Sequence, residues 1–107
     1  LALGNIGDWF PDTDAKYKGA NSIVLLKEVM DTVHKQGFQI VNMDSVIIAQ
    51  QPKFKPFILQ IRQSLAETLM CNLNQVSVKA TTTEWLGFEG REEGIAAQAS
   101  VLLEKND

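Results

Sequence analysis

Three hydroxyl side chains and a carboxylate stand together in the run KATTTE, Lys79 to Glu84, directly after a segment with strand character. Threonine hydroxyls both donate and accept hydrogen bonds, and a carboxylate is a preferred ligand of hard divalent cations. The run therefore suits phosphate binding combined with coordination of a cation. The alternative is an ordinary threonine-rich strand end in which Glu84 is solvated.

Three further polar clusters are predicted to lie in loops, where binding residues are often placed. Phe10 to Asp14 also fits a simple turn. In Ala49 to Phe54 a strand runs into a proline, which would leave backbone amides free to bind a base or a sugar. The alternative is a plain strand-to-helix loop. Gly87 to Gly94 offers Arg91 as a bidentate phosphate ligand, with a surface ion pair to a neighbouring glutamate as the alternative.

His34 and Cys71 are the single histidine and the single cysteine of the sequence. A histidine metal site, a cysteine-paired zinc site and a nucleophile paired with a histidine each need a further partner, so none can be built from this chain alone. His34 is predicted near the C-terminus of a helix, where the helix dipole favours a cation. We expect it to have a surface or capping role.

The composition predicts one globular domain over residues 1–107, because 45% of the side chains are hydrophobic and 21% are charged. The net charge is -3, and the basic residues are scattered from Lys16 to Lys105. A nucleic-acid partner is therefore not expected, since binders of that class carry a basic patch. A membrane partner is not expected either, because no apolar run reaches the roughly 18 residues of a membrane span.

Hydrophobic spacing predicts two helices. The first is capped by Asn21 or Ser22 and ends at Gly37, and the second follows Pro56. The segment from Asn5 to Gly19 is predicted to be a loop because it is rich in Gly, Asp, Asn and Pro.

Three strands are predicted with these helices, in Phe38 to Gln50, in Val76 to Ala80 and in Gly94 to Leu103. Val46 to Ile48 is expected to be buried on both faces, and Thr81 to Arg91 is expected to be a polar connection. The alanines of the last strand would either admit another subunit or face the helices. The order predicts an α+β two-layer sandwich, with helices packed on one face of a small mixed β-sheet.

Leu1 to Gly4 has the pattern of a helix end closed by a C-cap glycine, and the sequence does not begin with methionine. We therefore expect the chain to belong to a longer natural protein.

Four strings in order, GNIGDWFPDTD, YKGANS, AQQPKF and KATTTEWLGFEGREEGIA, resemble the 2-C-methyl-D-erythritol 2,4-cyclodiphosphate synthase family along essentially the whole chain. The resemblance implies an enzyme of non-mevalonate isoprenoid synthesis in bacterial cytoplasm or plastid stroma. Members are homotrimers with active sites between subunits. They are phosphorus–oxygen lyases that convert 4-diphosphocytidyl-2-C-methyl-D-erythritol 2-phosphate to a cyclic diphosphate and release CMP, using Zn²⁺ and a second divalent ion, Mg²⁺ or Mn²⁺.

The resemblance also implies roles for individual residues. Thr82 would be catalytic, and Glu84 would bind the second divalent ion. Ala49 to Lys55 would form the cytidine pocket, and Phe88 and Arg91 would lie near the phosphates or the trimer axis. The complete set of implied substrate contacts is Asn5, Ile6, Gly7, Phe10, Pro11, Asp12, Thr13, Asp14, Ala49, Gln50, Gln51, Pro52, Lys53, Phe54, Lys55, Thr81, Thr82, Thr83, Glu84, Phe88 and Arg91.

Two departures from the family pattern qualify these roles. The zinc ligands of the family, an Asp and two His, belong to an N-terminal strand and helix region that this chain lacks, so the chain alone is expected to be inactive. Asn5 stands where the family usually has Asp, which would replace a carboxylate contact to the ribose by an amide contact. The alternatives are a non-catalytic phosphate- or nucleotide-binding or assembly module that has lost zinc, and a purely structural role for the polar clusters.

Overall fold

The fold is given by a computed structural model, which describes residues 1–10, 21–51 and 53–106. It contains four helices and three strands within these ranges, together with 3-10 turns at Lys55–Phe57 and Leu73–Gln75. In chain order the elements are α1 (Ile6–Trp9), α2 (Ser22–Lys35), β1 (Phe38–Ile48), α3 (Ile58–Leu69), β2 (Val76–Thr81), α4 (Gly87–Gly90) and β3 (Ala96–Lys105).

The three strands form one mixed sheet in the order β2-β1-β3. β1 pairs in parallel with β2, from Met43 opposite Val76 to Ile48 opposite Thr81. β1 pairs antiparallel with β3, with a register shift between Ile40 and Asn42. This arrangement confirms the predicted α+β class with a small mixed sheet.

The core lies between the sheet and the helices α2 and α3. It is formed by buried apolar side chains from both layers: Met30 and Val33 of α2, Ala66 and Leu69 of α3, and Ile40, Met43, Val76 and Val78 of the strands. The predicted start and end of α2 are confirmed, because Asn21 Oδ1 accepts a hydrogen bond from Ile23 N at 2.8 Å and Gly37 has a φ of 86°. No helix in the described part of the chain combines the length and the apolar composition needed to cross a lipid bilayer.

Arg62 ties α3 to the segment that leads into β2. Its Nε donates to the carbonyl of Val76 at 2.9 Å, and its Nη2 donates to the carbonyl of Leu73 at 3.0 Å. We expect Arg62→Met to lower the free energy of unfolding by about 2 kcal/mol, because hydrogen bonds made by a charged group contribute most among such bonds. Urea denaturation would measure this, with Gln63→Ala on the exposed side of α3 as the control. Equal midpoints for the two variants would contradict the expectation.

Two predicted connections contain helical turns. The predicted loop from Asn5 includes α1. The backbone N–H of Asn5 donates to Asp8 Oδ2 at 3.3 Å and stabilises one helical turn. The remainder of that predicted loop, residues 11–19, lies outside the described residues. The predicted polar connection after β2 includes α4, and β3 begins at Ala96 rather than at Gly94.

The prediction that Val46, Ile47 and Ile48 are buried on both faces is wrong, since all three are only half-buried. Ile47 packs against the core cluster, whereas Val46 and Ile48, which alternate with it along β1, do not belong to that cluster. In β3, Ala97 and Ala99 face the helices, where they line a cavity of 520 Å³ with apolar side chains of α2 and α3.

Candidate functional site

The candidate site lies at the carboxyl ends of β1 and β2, which meet at one edge of the sheet because these strands are parallel. The Ala49 amide donates to the carbonyl of Thr81 at 3.0 Å, so the chain segments that leave the two strands start side by side. We name residues 49–51, 53 and 54 the β1 loop and residues 81–86 the threonine turn. Ligands of parallel sheets commonly bind beyond the carboxyl ends of strands.

The threonine turn is held in an unusual backbone conformation. Glu84 has a φ of 53° and Trp85 a φ of 70°. Two consecutive left-handed residues other than glycine cost about 1–2 kcal/mol each. Within the turn, Glu84 N donates to Thr82 Oγ1 at 3.2 Å and Leu86 N donates to the carbonyl of Thr83 at 3.2 Å. Strain that a structure maintains in this way is common at functional sites.

The hydroxyl protons of the three threonines are used differently. Thr81 Oγ1 donates to the carbonyl of Thr82, and Thr83 Oγ1 donates to the carbonyl of Leu86. Thr82 Oγ1 accepts from Glu84 N, a bond that uses an oxygen lone pair and leaves the hydroxyl proton for another acceptor. Thr82 is therefore the threonine of the turn best suited to donate to a phosphate oxygen.

Gly90 lets α4 pack directly on the threonine turn. A Cβ atom at Gly90 would lie 2.2 Å from the backbone carbon of Trp85 and 2.8 Å from Thr83 Oγ1. Gly90 is buried, so no side chain fits there. Local sequence patterns carry no signal for this role, because the requirement comes from a contact with a residue five positions earlier.

The β1 loop is joined to the threonine turn by a side chain. Ala49 and Gln50 are buried, and Gln50 Oε1 accepts a hydrogen bond from Trp85 N at 3.1 Å. Lys53 and Lys55 are exposed and leave two cationic groups at the solvent side of this segment. Two of the four clusters that the sequence indicates, AQQPKF and KATTTE, thus have residues that are brought together at this edge.

Other predicted site residues lie elsewhere or outside the description. Ile6 and Phe10 line a cavity of 230 Å³ with side chains of α2, and Asn5 and Gly7 belong to the same exposed N-terminal segment. The structure places this segment against α2. Residues 11–14 and Pro52 lie outside the described residues, while Gln51 is exposed and Phe54 is half-buried in the β1 loop.

Arg91 makes the surface ion pair that the sequence left open as an alternative. Its Nε lies 2.6 Å from Glu93 Oε1, and both side chains are exposed. A phosphate at Arg91 would have to compete with Glu93. Phe88 on α4 is 45% exposed and therefore accessible to a ligand or to another subunit.

Lys79, the first residue of KATTTE, is engaged on the sheet rather than in the turn. Its Nζ lies 3.0 Å from Asp44 Oδ2 across β1 and β2. The hydrogen bond from Lys79 is the main cause that lowers the pKa of the Asp44 carboxyl. Lys79 therefore has a partner on the open face of the sheet.

The donors at the edge are oxygen atoms. Glu84 is exposed and neighbours threonine hydroxyls, which are oxygen ligands of the kind that Mg²⁺ and Mn²⁺ accept. Across residues 1–10, 21–51 and 53–106, no three His, Cys, Asp or Glu side chains gather in a way that could hold a metal ion.

Comparison with known proteins finds relatives similar in sequence and in fold. A 2-C-methyl-D-erythritol 2,4-cyclodiphosphate synthase from Desulfitobacterium hafniense is 55% identical over 105 residues, which are 98% of this chain and 66% of that protein. The bifunctional IspDF from Campylobacter jejuni superposes with a TM-score of 0.93 at 47% identity, over 99% of this chain and 29% of that chain. IspF from Plasmodium falciparum in a CDP complex superposes with a TM-score of 0.84 at 30% identity, over 97% of this chain and 62% of that chain.

The chain thus spans a little under two thirds of the length of the curated relative that it matches. A sequence model of the YgbB family matches residues 1–104. Because this match covers nearly all 107 residues, the chain belongs to the YgbB family.

Proposed function

We propose that this chain forms the nucleotide- and diphosphate-binding part of a 2-C-methyl-D-erythritol 2,4-cyclodiphosphate synthase. The observation that carries the proposal is the direct junction of the β1 loop and the threonine turn, through Gln50 and Trp85, at one sheet edge. The name of the 55% identical relative and the CDP complex of a structural neighbour support it. They favour an enzyme over a non-catalytic binding or assembly module.

The proposed reaction is a phosphorus–oxygen lyase reaction on 4-diphosphocytidyl-2-C-methyl-D-erythritol 2-phosphate. An oxygen of the 2-phosphate forms a bond to the β-phosphorus, and the bond from that phosphorus to the bridging oxygen breaks, which releases CMP. Because the nucleophile belongs to the substrate, the protein contributes positioning and neutralisation of charge. Thr82 Oγ1 would donate a hydrogen bond to a phosphate oxygen, which would stabilise the charge of the transition state.

The proposed second divalent ion, Mg²⁺ or Mn²⁺, would be held by Glu84. When bound, such an ion neutralises charge on the diphosphate. Zn²⁺ is not supported by the described residues, because they offer no set of zinc ligands. We therefore propose that zinc ligands come from outside this chain and that the chain alone does not turn over substrate.

The proposed assembly is a homotrimer with no nucleic-acid or membrane partner, in bacterial cytoplasm or plastid stroma. Its support is exposed apolar side chains at two separate places: Leu102 of β3 is 55% exposed, and Ile95, just before that strand, is 50% exposed. Large apolar side chains left exposed in this way are available to pack against another subunit. The curated relatives come from bacteria such as Desulfitobacterium hafniense.

Titration calorimetry of the purified chain with CDP and Mg²⁺ tests the proposal, with inorganic phosphate as the comparison ligand. We expect saturable CDP binding and a roughly tenfold weaker affinity in Lys53→Ala, because one charge-assisted hydrogen bond contributes about 1.5 kcal/mol. Lys27→Ala, an equal change at an exposed position of α2, is expected to bind like the unchanged chain. A folded trimer that fails to bind CDP, or that binds phosphate equally well, would contradict the proposal.

A further inference from the structure

Gln50 carries a buried side-chain amide whose role goes beyond lining a pocket. The residue is 8% exposed, and burial of an amide is unfavourable unless the amide is hydrogen-bonded. Its Oε1 accepts from the backbone amide of Trp85, 35 residues further along the chain. A single side chain of the β1 loop thus binds the backbone of the threonine turn.

The contact falls on the strained part of the turn. Trp85 and the preceding Glu84 both have positive φ values. The hydrogen bonds that Glu84 N and the following residue, Leu86, donate through their backbone end within the turn itself. The backbone bond from Ala49 reaches only Thr81, where β2 ends. Among the described residues, the Gln50 side chain therefore links the β1 loop by a hydrogen bond to the peptide group between Glu84 and Trp85. The backbone of these two residues sets the direction of the Glu84 carboxylate.

We propose that Gln50 is a positioning residue that couples the β1 loop to the threonine turn, so that nucleotide and divalent cation bind cooperatively. The inference rests on the proposed function, in which the base occupies the β1 loop and the cation lies at Glu84. The Gln50 amide oxygen accepts from Trp85 N, next to the left-handed backbone of Glu84, so a base held by the β1 loop would keep this contact in place. Coupling of this kind is reciprocal, so the cation strengthens nucleotide binding by the same factor.

Gln50→Met tests the coupling because methionine has nearly the same length and lacks the oxygen acceptor. The dissociation constant of cytidine, which has no diphosphate for the ion to contact, is measured without and with saturating Mn²⁺, and the ratio of the two values is the coupling factor. We expect a factor of about five or more for the unchanged chain and a factor near one for Gln50→Met.

Gln75→Met is the matched control. Gln75 Nε2 donates to the carbonyls of Val41 at 2.8 Å and Ile40 at 3.4 Å, at the register shift of β1 and away from the turn. This variant also loses hydrogen bonds from a side-chain amide to the backbone, yet it is expected to keep the coupling factor. An equal loss of coupling in both variants would assign the effect to general stability and overturn the inference.

Hydrogen exchange of the Trp85 backbone amide gives a readout that needs no ligand. Loss of its acceptor is expected to speed exchange about tenfold in Gln50→Met relative to Gln75→Met. Retention of both slow exchange and coupling in Gln50→Met would overturn the inference while leaving the proposed function intact. Failure of the unchanged chain to bind CDP at all would instead overturn the proposed function, and the inference with it.

Discussion

Gly90→Ala is expected to displace the threonine turn and to lower the free energy of unfolding by about 1–3 kcal/mol, the usual cost of forcing extra volume into a packed site. The new Cβ would lie 2.2 Å from the backbone carbon of Trp85 and 2.6 Å from its Cα. Backbone atoms cannot rotate away as a flexible side chain can, so the turn or α4 has to shift. Urea denaturation measures the loss of stability, and CDP titration measures the loss of the site.

Gly7→Ala is the control for this variant. A Cβ at Gly7 meets no atom within 4 Å, and Gly7 lies inside α1, where alanine is more favourable than glycine by about 0.5–1 kcal/mol. We therefore expect this variant to be at least as stable as the unchanged chain. A Gly90→Ala protein with the midpoint of the unchanged chain would show that α4 does not pack on the turn in solution.

The long elements were predictable because their signals are local. Asn21 marks the start of α2 and Gly37 marks its end, each through its own backbone and side-chain preferences. Apolar residues spaced three and four positions apart indicated the buried faces of α2 and α3. The turns α1 and α4 were missed because a one-turn helix is not stable by itself. α1 depends on the Asn5–Asp8 contact, and α4 depends on packing at Gly90.

The two loop clusters of the site could also be predicted, but not their junction. Thr81 and Ala49 meet because β1 and β2 are parallel neighbours, and periodicity within each strand does not reveal strand order. Family resemblance indicated backbone contacts around Gln50, whereas the bond from its side chain to Trp85 depends on tertiary structure. For Arg91 the local alternative, an ion pair with Glu93, is the one that the described residues form.

Glu84→Gln is expected to weaken Mn²⁺ binding in the presence of CDP about 100-fold, at the upper end of the losses that follow changes around metal ligands. Glutamine has the same length, and the backbone bond from residue 84 to Thr82 Oγ1 does not involve the carboxylate. The change therefore replaces a charged oxygen ligand with a neutral one while the turn keeps its hydrogen bonds. Hard cations bind carboxylates more strongly than amides because of the charge.

Glu89→Gln makes the same change of charge on α4, where Glu89 is half-buried outside the threonine turn, and it is expected to bind Mn²⁺ within about twofold of the unchanged chain. Calorimetry of both variants shows whether Glu84 coordinates Mn²⁺ directly or only attracts the ion through its charge. A loss shared equally by Glu84→Gln and Glu89→Gln would mean that net charge attracts the ion. Unchanged binding in Glu84→Gln would place the cation elsewhere and leave Glu84 as a solvated carboxylate at a strand end.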